Sequence, residues 1–104
     1  MIMRIWRTKV DQSRADEYER FAAVDSLPMF QSHDGFLGLL FGREGTDCAV
    51  VTLWENAAAV DGLERSPRYR DTVTRITAAG FLVGQSRVER FAVHGSQLPT
   101  SMKP

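Results

Sequence analysis

Apolar and polar positions alternate over Met1–Thr8, which predicts a first strand with Ile2, Arg4 and Trp6 on one face and Met3, Ile5 and Arg7 on the other. The spacing then lengthens to a helical period. Tyr18, Phe21 and Ala22 form an apolar stripe on a helix starting near Ser13, where Ser13 and Asp16 resemble a capping box. Pro28 is expected to end or kink this helix near Ser26, with Leu27–Ser32 continuing as a short turn. His33-Asp34-Gly35 reads as a turn into a hairpin, GFLGLLFGREGTDCAVVTLWE, spanning residues 35–55.

That hairpin is apolar on both faces. A four-residue loop over Glu44–Asp47 sets Arg43 opposite Cys48, Phe41 opposite Val50, Leu39 opposite Thr52 and Leu37 opposite Trp54, a bulky face. Phe36, Gly38, Leu40, Gly42, Ala49, Val51 and Leu53 make the other, smaller face. Its glycines suggest close approach by another element or a ligand. Downstream, Asn56 caps a helix over residues 57–65. Ser66 and Pro67 start another, with Tyr69, Val73 and Ile76 as its stripe and Gly80 as its stop. Arg87–Val93 is the last strand. Residues 1–94 then form one domain, and the polar segment 95–104, with two prolines, is expected to be a loose tail.

The order β-α-β-β-α-β predicts an α+β, ferredoxin-like fold: a four-stranded antiparallel sheet with the helical segments on one face. Two helical layers cover one face only, so the other requires a partner. A second copy packing sheet on sheet is the simplest one, giving a homodimer through the sheet face. Burying about 600 Å² of apolar surface per chain would contribute about 15 kcal/mol before association costs.

Composition narrows the functional classes. Thirteen basic and thirteen acidic residues cancel, and no basic block occurs, which argues against nucleic acid or an anionic membrane as partner. The segment MIMRIWRT is too charged for a leader or a membrane span. A single cysteine, Cys48, excludes an intrachain disulfide and fits a reducing, cytoplasmic setting. His33 and His94 stand far apart with no cluster at metal-ligand spacing, so no metal site is expected. His33 reads as a solvated loop residue. The strand glycines do not open a helix, which excludes a phosphate loop.

These pieces together resemble the antibiotic biosynthesis monooxygenase-like domains of the dimeric α/β-barrel superfamily. The resemblance runs over residues 1–94 through RIWR, DEYERF, LPMFQSHDGFLGLLFGRE, VVTLWEN, SPRYRDTV and VERFAV. It implies a dimeric barrel with a small-molecule pocket between sheet and helices. It also implies a cofactor-independent monooxygenase acting on a small aromatic or quinol-type substrate. The haem-degrading branch of the superfamily is disfavoured, because Leu63, Val73 and Arg7 stand where that branch has Trp, His and Asn. No cofactor is therefore expected.

Within that frame Arg7, Tyr69 and Asn56 are the candidate catalytic groups: Arg7 for binding a phenolate or oxyanion, Tyr69 for a substrate carbonyl, Asn56 for orienting a ligand. Each has a structural alternative: a rim ion pair, a core tyrosine, a helix cap. Phe21, Phe41 and Trp54 are candidates for contact with substrate. Trp6 and Trp54 read as packing anchors near the subunit interface, and Trp54 becomes a pocket wall if the faces are exchanged. The same residues describe a binding pocket without turnover, so a non-catalytic small-molecule-binding or stress-related dimer stands as the alternative, with a carbonyl isomerase or decyclase behind it.

Overall fold

The computed structural model describes residues 1–99. β1 (Ile2–Lys9) leads through a short 3-10 turn to α1 (Ala15–Phe21) and α2 (Leu27–Gln31); β2 (Phe36–Glu44) and β3 (Asp47–Trp54) form the hairpin; α3 (Ala57–Arg65), α4 (Pro67–Ala78) and β4 (Arg87–Ala92) follow. The strands make one antiparallel sheet in the order β2-β3-β1-β4, with the helices packed on one face, the expected ferredoxin-like arrangement. No described helix is long and apolar enough to cross a membrane.

Several local expectations hold for the stated reasons. Asn56 Oδ1 accepts from the Ala59 N–H at 2.9 Å, and Ser66 Oγ accepts from the Tyr69 N–H at 3.3 Å with Pro67 opening α4. Gly80, at φ +83°, stands just past the end of α4. Others need correction. Asp11, not Ser13, caps the first helical segment: its carboxylate accepts from both the N–H and the hydroxyl of Ser13. Pro28 does not end the helix. The chain widens into a π-turn over Ala22–Ser26, where the Leu27 N–H bonds to the Ala22 carbonyl, and α2 resumes with Pro28 in its first turn. A proline in the first turn forfeits no needed N–H, and the widened turn absorbs its ring.

The hairpin register agrees from Arg43↔Cys48 to Leu39↔Thr52, but the turn is two residues, Gly45-Thr46, because Glu44 already pairs with Asp47. A bulge between Phe36 and Gly38 then sets Phe36, instead of Leu37, opposite Trp54. Gly35 allows the chain to enter β2 at φ +83°, and a Cβ there would lie 2.5 Å from the Ala59 Cβ of α3.

The helices cover the bulky face. Met29, Phe30, Val50, Trp54, Val60 and Leu63 form one buried cluster; Val10, Ala15, Tyr18, Cys48, Ile76 and Phe81 form a second, with Trp6 packing against both. Trp54 is fully buried, its indole N–H donating to Thr52 Oγ1 at 2.7 Å, and Phe30 and Phe36 meet its ring edge-on. Trp54 thus belongs to the chain's own core, and Trp6 packs on the same face against both clusters. The opposite face carries Ile5, Val51 and Leu53, with Leu37, Leu40 and Phe91 each nearly half exposed. A Cβ added at Gly42 meets nothing within 4 Å and one at Gly38 meets only Leu53, so within the chain these glycines mark no close approach. Residues 95–99 have no regular structure, and Leu98 and Pro99 line a groove on this open face beside Leu37 and Leu40. The remainder of the expected tail, residues 100–104, lies outside the described residues.

Candidate functional site

Between sheet and helices lies a cavity of about 30 Å³, room for roughly two water molecules. Arg4 and Trp6 of β1, Phe41 of β2 and Val50 of β3 form its floor. Tyr18 of α1, Ala22 and Ser26 of the π-turn, Met29 and Phe30 of α2, and Tyr69, Thr72, Val73 and Ile76 of α4 form its walls. The π-turn bears directly on the site, because it places Ala22 and Ser26 on the cavity wall with small side chains.

The polar end is built around Arg4, which is only 2% exposed. Its Nε donates to Glu64 Oε2 of α3 at 2.9 Å, and its Nη2 donates to the Tyr69 hydroxyl at 2.7 Å. The guanidinium also lies 5.2 Å from the Tyr69 ring centre. Glu64 is shared with Arg90 of β4, and Arg90 reaches Asp61 at 2.9 Å. Two cations and two carboxylates thus form one neutral chain from cavity to surface. Partial burial disfavours the charged form of Glu64, but hydrogen bonds from Arg4 and Arg90 outweigh it and hold the carboxyl below its usual range. At the far end of the cavity, burial pushes the Tyr18 phenol well above its ordinary value, so Tyr18 stays protonated at neutral pH.

Of the residues singled out in the sequence, Tyr69 and Phe41 line the cavity. Arg7, Asn56, Phe21 and Trp54 do not. Arg7 lies on the opposite face of the sheet, largely exposed, with its Nε 2.6 Å from Glu89 Oε1. Asn56 acts as the cap of α3. Phe21 packs edge-on to Phe81 beneath the Arg75 guanidinium, and Trp54 lies in the core. Val73, aligned with the haem ligand of the other branch, is on the cavity wall. Among the described residues no group of three or more His, Cys, Asp or Glu is placed to hold a metal ion.

Sequence reasoning missed Arg4 as a site residue. Its signal was present, since Arg4 lies between Ile2 and Trp6 on one strand face, but Arg7 occupied the other face beside Ile5. His33 was also misread. Its Nδ1 contacts the Met29 carbonyl and its Nε2 contacts Ser66 Oγ, both at 2.8 Å, so it ties α2 to the cap of α4. The Asp25–Arg75 ion pair, at 3.1 Å, links the π-turn to α4.

No family model and no curated protein matches the chain. Solved structures do match. A monooxygenase of Streptomyces coelicolor, ActVA-Orf6, in complex with nanaomycin D, superposes with a TM-score of 0.80 at 17% identity, over 95% of this chain and 92% of that one. SnoaB, a cofactor-independent oxygenase from Streptomyces nogalater, gives 0.75 at 18% identity over 91% and 94%. A putative antibiotic biosynthesis monooxygenase from Deinococcus radiodurans gives 0.75 at 10% identity over 97% and 100%. The chain therefore has the fold of antibiotic biosynthesis monooxygenase-like proteins.

Proposed function

We propose that this protein is a cofactor-independent monooxygenase that oxidises a small aromatic, quinol-type substrate in the cavity between its sheet and helices. The observation that carries the reading is the hydrogen bond from the buried Arg4 to the half-buried Tyr69 at one end of an aromatic and aliphatic cavity, in a fold shared with oxygenases of that kind. An ionised phenol supplies the electrons for such a reaction. A ring C–H and the O–H are lost, a second C=O forms, and dioxygen yields one oxygen to the product and one to water. The protein's part is to exclude water, hold the ring and favour ionisation at one oxygen. Tyr69 and Phe41 serve as contacts in this reading, with Arg4 taking the anion-binding part first assigned to Arg7. At about 30 Å³ the cavity must widen to admit an aromatic ring, by separation of α1 and α2 from α4.

Oxygen uptake with a panel of hydroquinones and naphthols tests the reading: one dioxygen consumed per product is expected, giving hydroxyquinones from the hydroquinones and naphthoquinones from the naphthols, with one atom of the dioxygen carried into the product. Binding of these compounds without uptake would instead establish the alternative, a binding protein without turnover.

The reading includes a homodimer in a cytoplasmic setting. The support is the open sheet face with Leu37, Leu40 and Phe91, an apolar surface that a second copy would cover. Light scattering at micromolar concentration should give twice the chain mass; a monomer mass would remove the dimer from the reading.

A further inference from the structure

A second pair of reactive side chains lies outside the cavity. His33, just past the end of α2, and Ser66, at the start of α4, are both half-buried, and neither lines the cavity. His33 Nδ1 is 2.8 Å from the Met29 carbonyl, and Nε2 is 2.8 Å from Ser66 Oγ. A carbonyl only accepts, so Nδ1 carries the ring proton. In the neutral imidazole Nε2 is then the acceptor, and the Ser66 hydroxyl donates to it. The serine proton therefore points at a base whose tautomer is fixed from its opposite side.

The cap of α4 uses only part of this arrangement. It needs one lone pair of Ser66 Oγ, which accepts from the Tyr69 N–H at 3.3 Å, and makes no demand on the hydroxyl proton. Pro67 has no N–H, and the Arg68 N–H in the same turn has no acceptor among the described residues. One backbone donor thus stays uncommitted two residues from the serine, at the positive end of a twelve-residue helix.

We infer that Ser66 and His33 form a nucleophilic pair that takes up the acyl group of a small ester, an activity separate from oxidation in the cavity. Ser66 Oγ attacks the ester carbonyl as its proton passes to His33 Nε2. The Oγ–C bond forms, and the Arg68 N–H donates to the resulting oxyanion. The ester C–O bond then breaks, and the alcohol leaves with the proton from Nε2. Water attacks the acyl-serine in the same way, gives its proton to Nε2 and releases the acid, and that proton returns to Ser66 Oγ. The Met29 carbonyl orients the imidazole, the part a carboxylate plays in a Ser-His-Asp arrangement. A position outside the cavity suits a short acyl chain that needs no apolar enclosure.

The test uses the full chain with two probes, a fluorophosphonate, which phosphonylates an activated serine with loss of fluoride, and 4-nitrophenyl acetate. The fluorophosphonate should add once per chain, at Ser66 by peptide mass, and acid quenching during acetate hydrolysis should trap an acetyl group on the same residue. Ser66→Asn keeps a good helix cap without a hydroxyl, so it should retain the fold by circular dichroism and lose both adducts. His33→Gln should slow labelling of Ser66 about a hundredfold, the lower range for a general base. If His33→Gln does not fold, wild type in urea decides the question: labelling of Ser66 should vanish on unfolding, and labelling that survives overturns the pair. No adduct at Ser66 in the folded wild type, or a rate in folded His33→Gln equal to wild type, overturns it as well.

Discussion

Arg4 on the first strand and Glu64 on α3 meet at 2.9 Å, one side chain almost wholly buried and the other about one-third exposed. The pair fastens the sheet to the helical layer directly beside the cavity. Replacing Glu64 by Gln leaves a buried guanidinium without its anion and should cost about 1–3 kcal/mol in urea denaturation. The pH dependence follows from the lowered carboxyl. A group whose folded pKa lies below its unfolded value, near 4.5 for Glu, stabilises the fold above that value. That contribution disappears as pH falls through the folded value. Wild type should therefore lose stability below about pH 4.5 more steeply than Glu64→Gln, as measured by denaturation midpoints across pH.

Gly35→Ala should be among the most damaging small substitutions in the chain. The position combines φ +83° with a Cβ 2.5 Å from the Ala59 Cβ, so backbone strain adds to overpacking. A loss of roughly 2–4 kcal/mol is expected by denaturant titration. Adding Ala59→Gly should recover the packing part and leave the strain.

Cys48 should be silent to thiol reagents in the folded protein. It is 3% exposed, and burial raises its thiol above the ordinary value despite a hydrogen bond with Tyr18 and the nearby charge of Arg43. Labelling with an aromatic disulfide should proceed at the rate of unfolding and become fast in denaturant. Fast labelling without denaturant would show that the second core cluster opens readily.

Asp25→Ala should speed ligand entry. The Asp25–Arg75 pair is partly exposed, so its loss should change stability by less than about 1 kcal/mol. It nonetheless links the π-turn to α4, beside the His33–Ser66 contact that ties the end of α2 to the cap of α4. Stopped-flow binding of 2-naphthol should show a higher association rate in the variant with a similar equilibrium affinity.

Val51→Glu probes the open face. Val51 sits mid-strand beside Leu40, and a carboxylate there would be buried by any copy packed on the sheet. Light scattering should then give a monomer mass, with the fold retained by circular dichroism.

Much of the architecture was legible locally. Ser66-Pro67, Asn56 and Gly80 each determine a helix end through their own backbone chemistry, so they read correctly without knowledge of the rest of the chain. The hairpin register followed from alternation up to the bulge. Phe36 displaced Leu37 opposite Trp54 because a bulge is one extra residue in an otherwise regular strand, and alternation carries no mark of it. Of the two outcomes expected at Pro28, the helix does not end there; its ring forbids an ordinary mid-helix position, and a π-turn closing at Ser26 removes the conflict.

The site was half legible. Tyr69 came from its helical stripe and Phe41 from its strand face, whereas the charged group came out on the wrong face. Ile2-Arg4-Trp6 and Met3-Ile5-Arg7 are nearly equivalent patterns, each an arginine among apolar residues.

The sequence by itself determined the element order, the cap positions, the two-sided apolar hairpin and therefore the ferredoxin-like class, because all of these rest on interactions between near neighbours. Tertiary structure alone decided which face of the sheet the helices cover. That choice depends on how residues dozens of positions apart pack together. By burying Trp54 it turned Arg4 inward to Glu64 and Tyr69 and left Arg7 outside with Glu89.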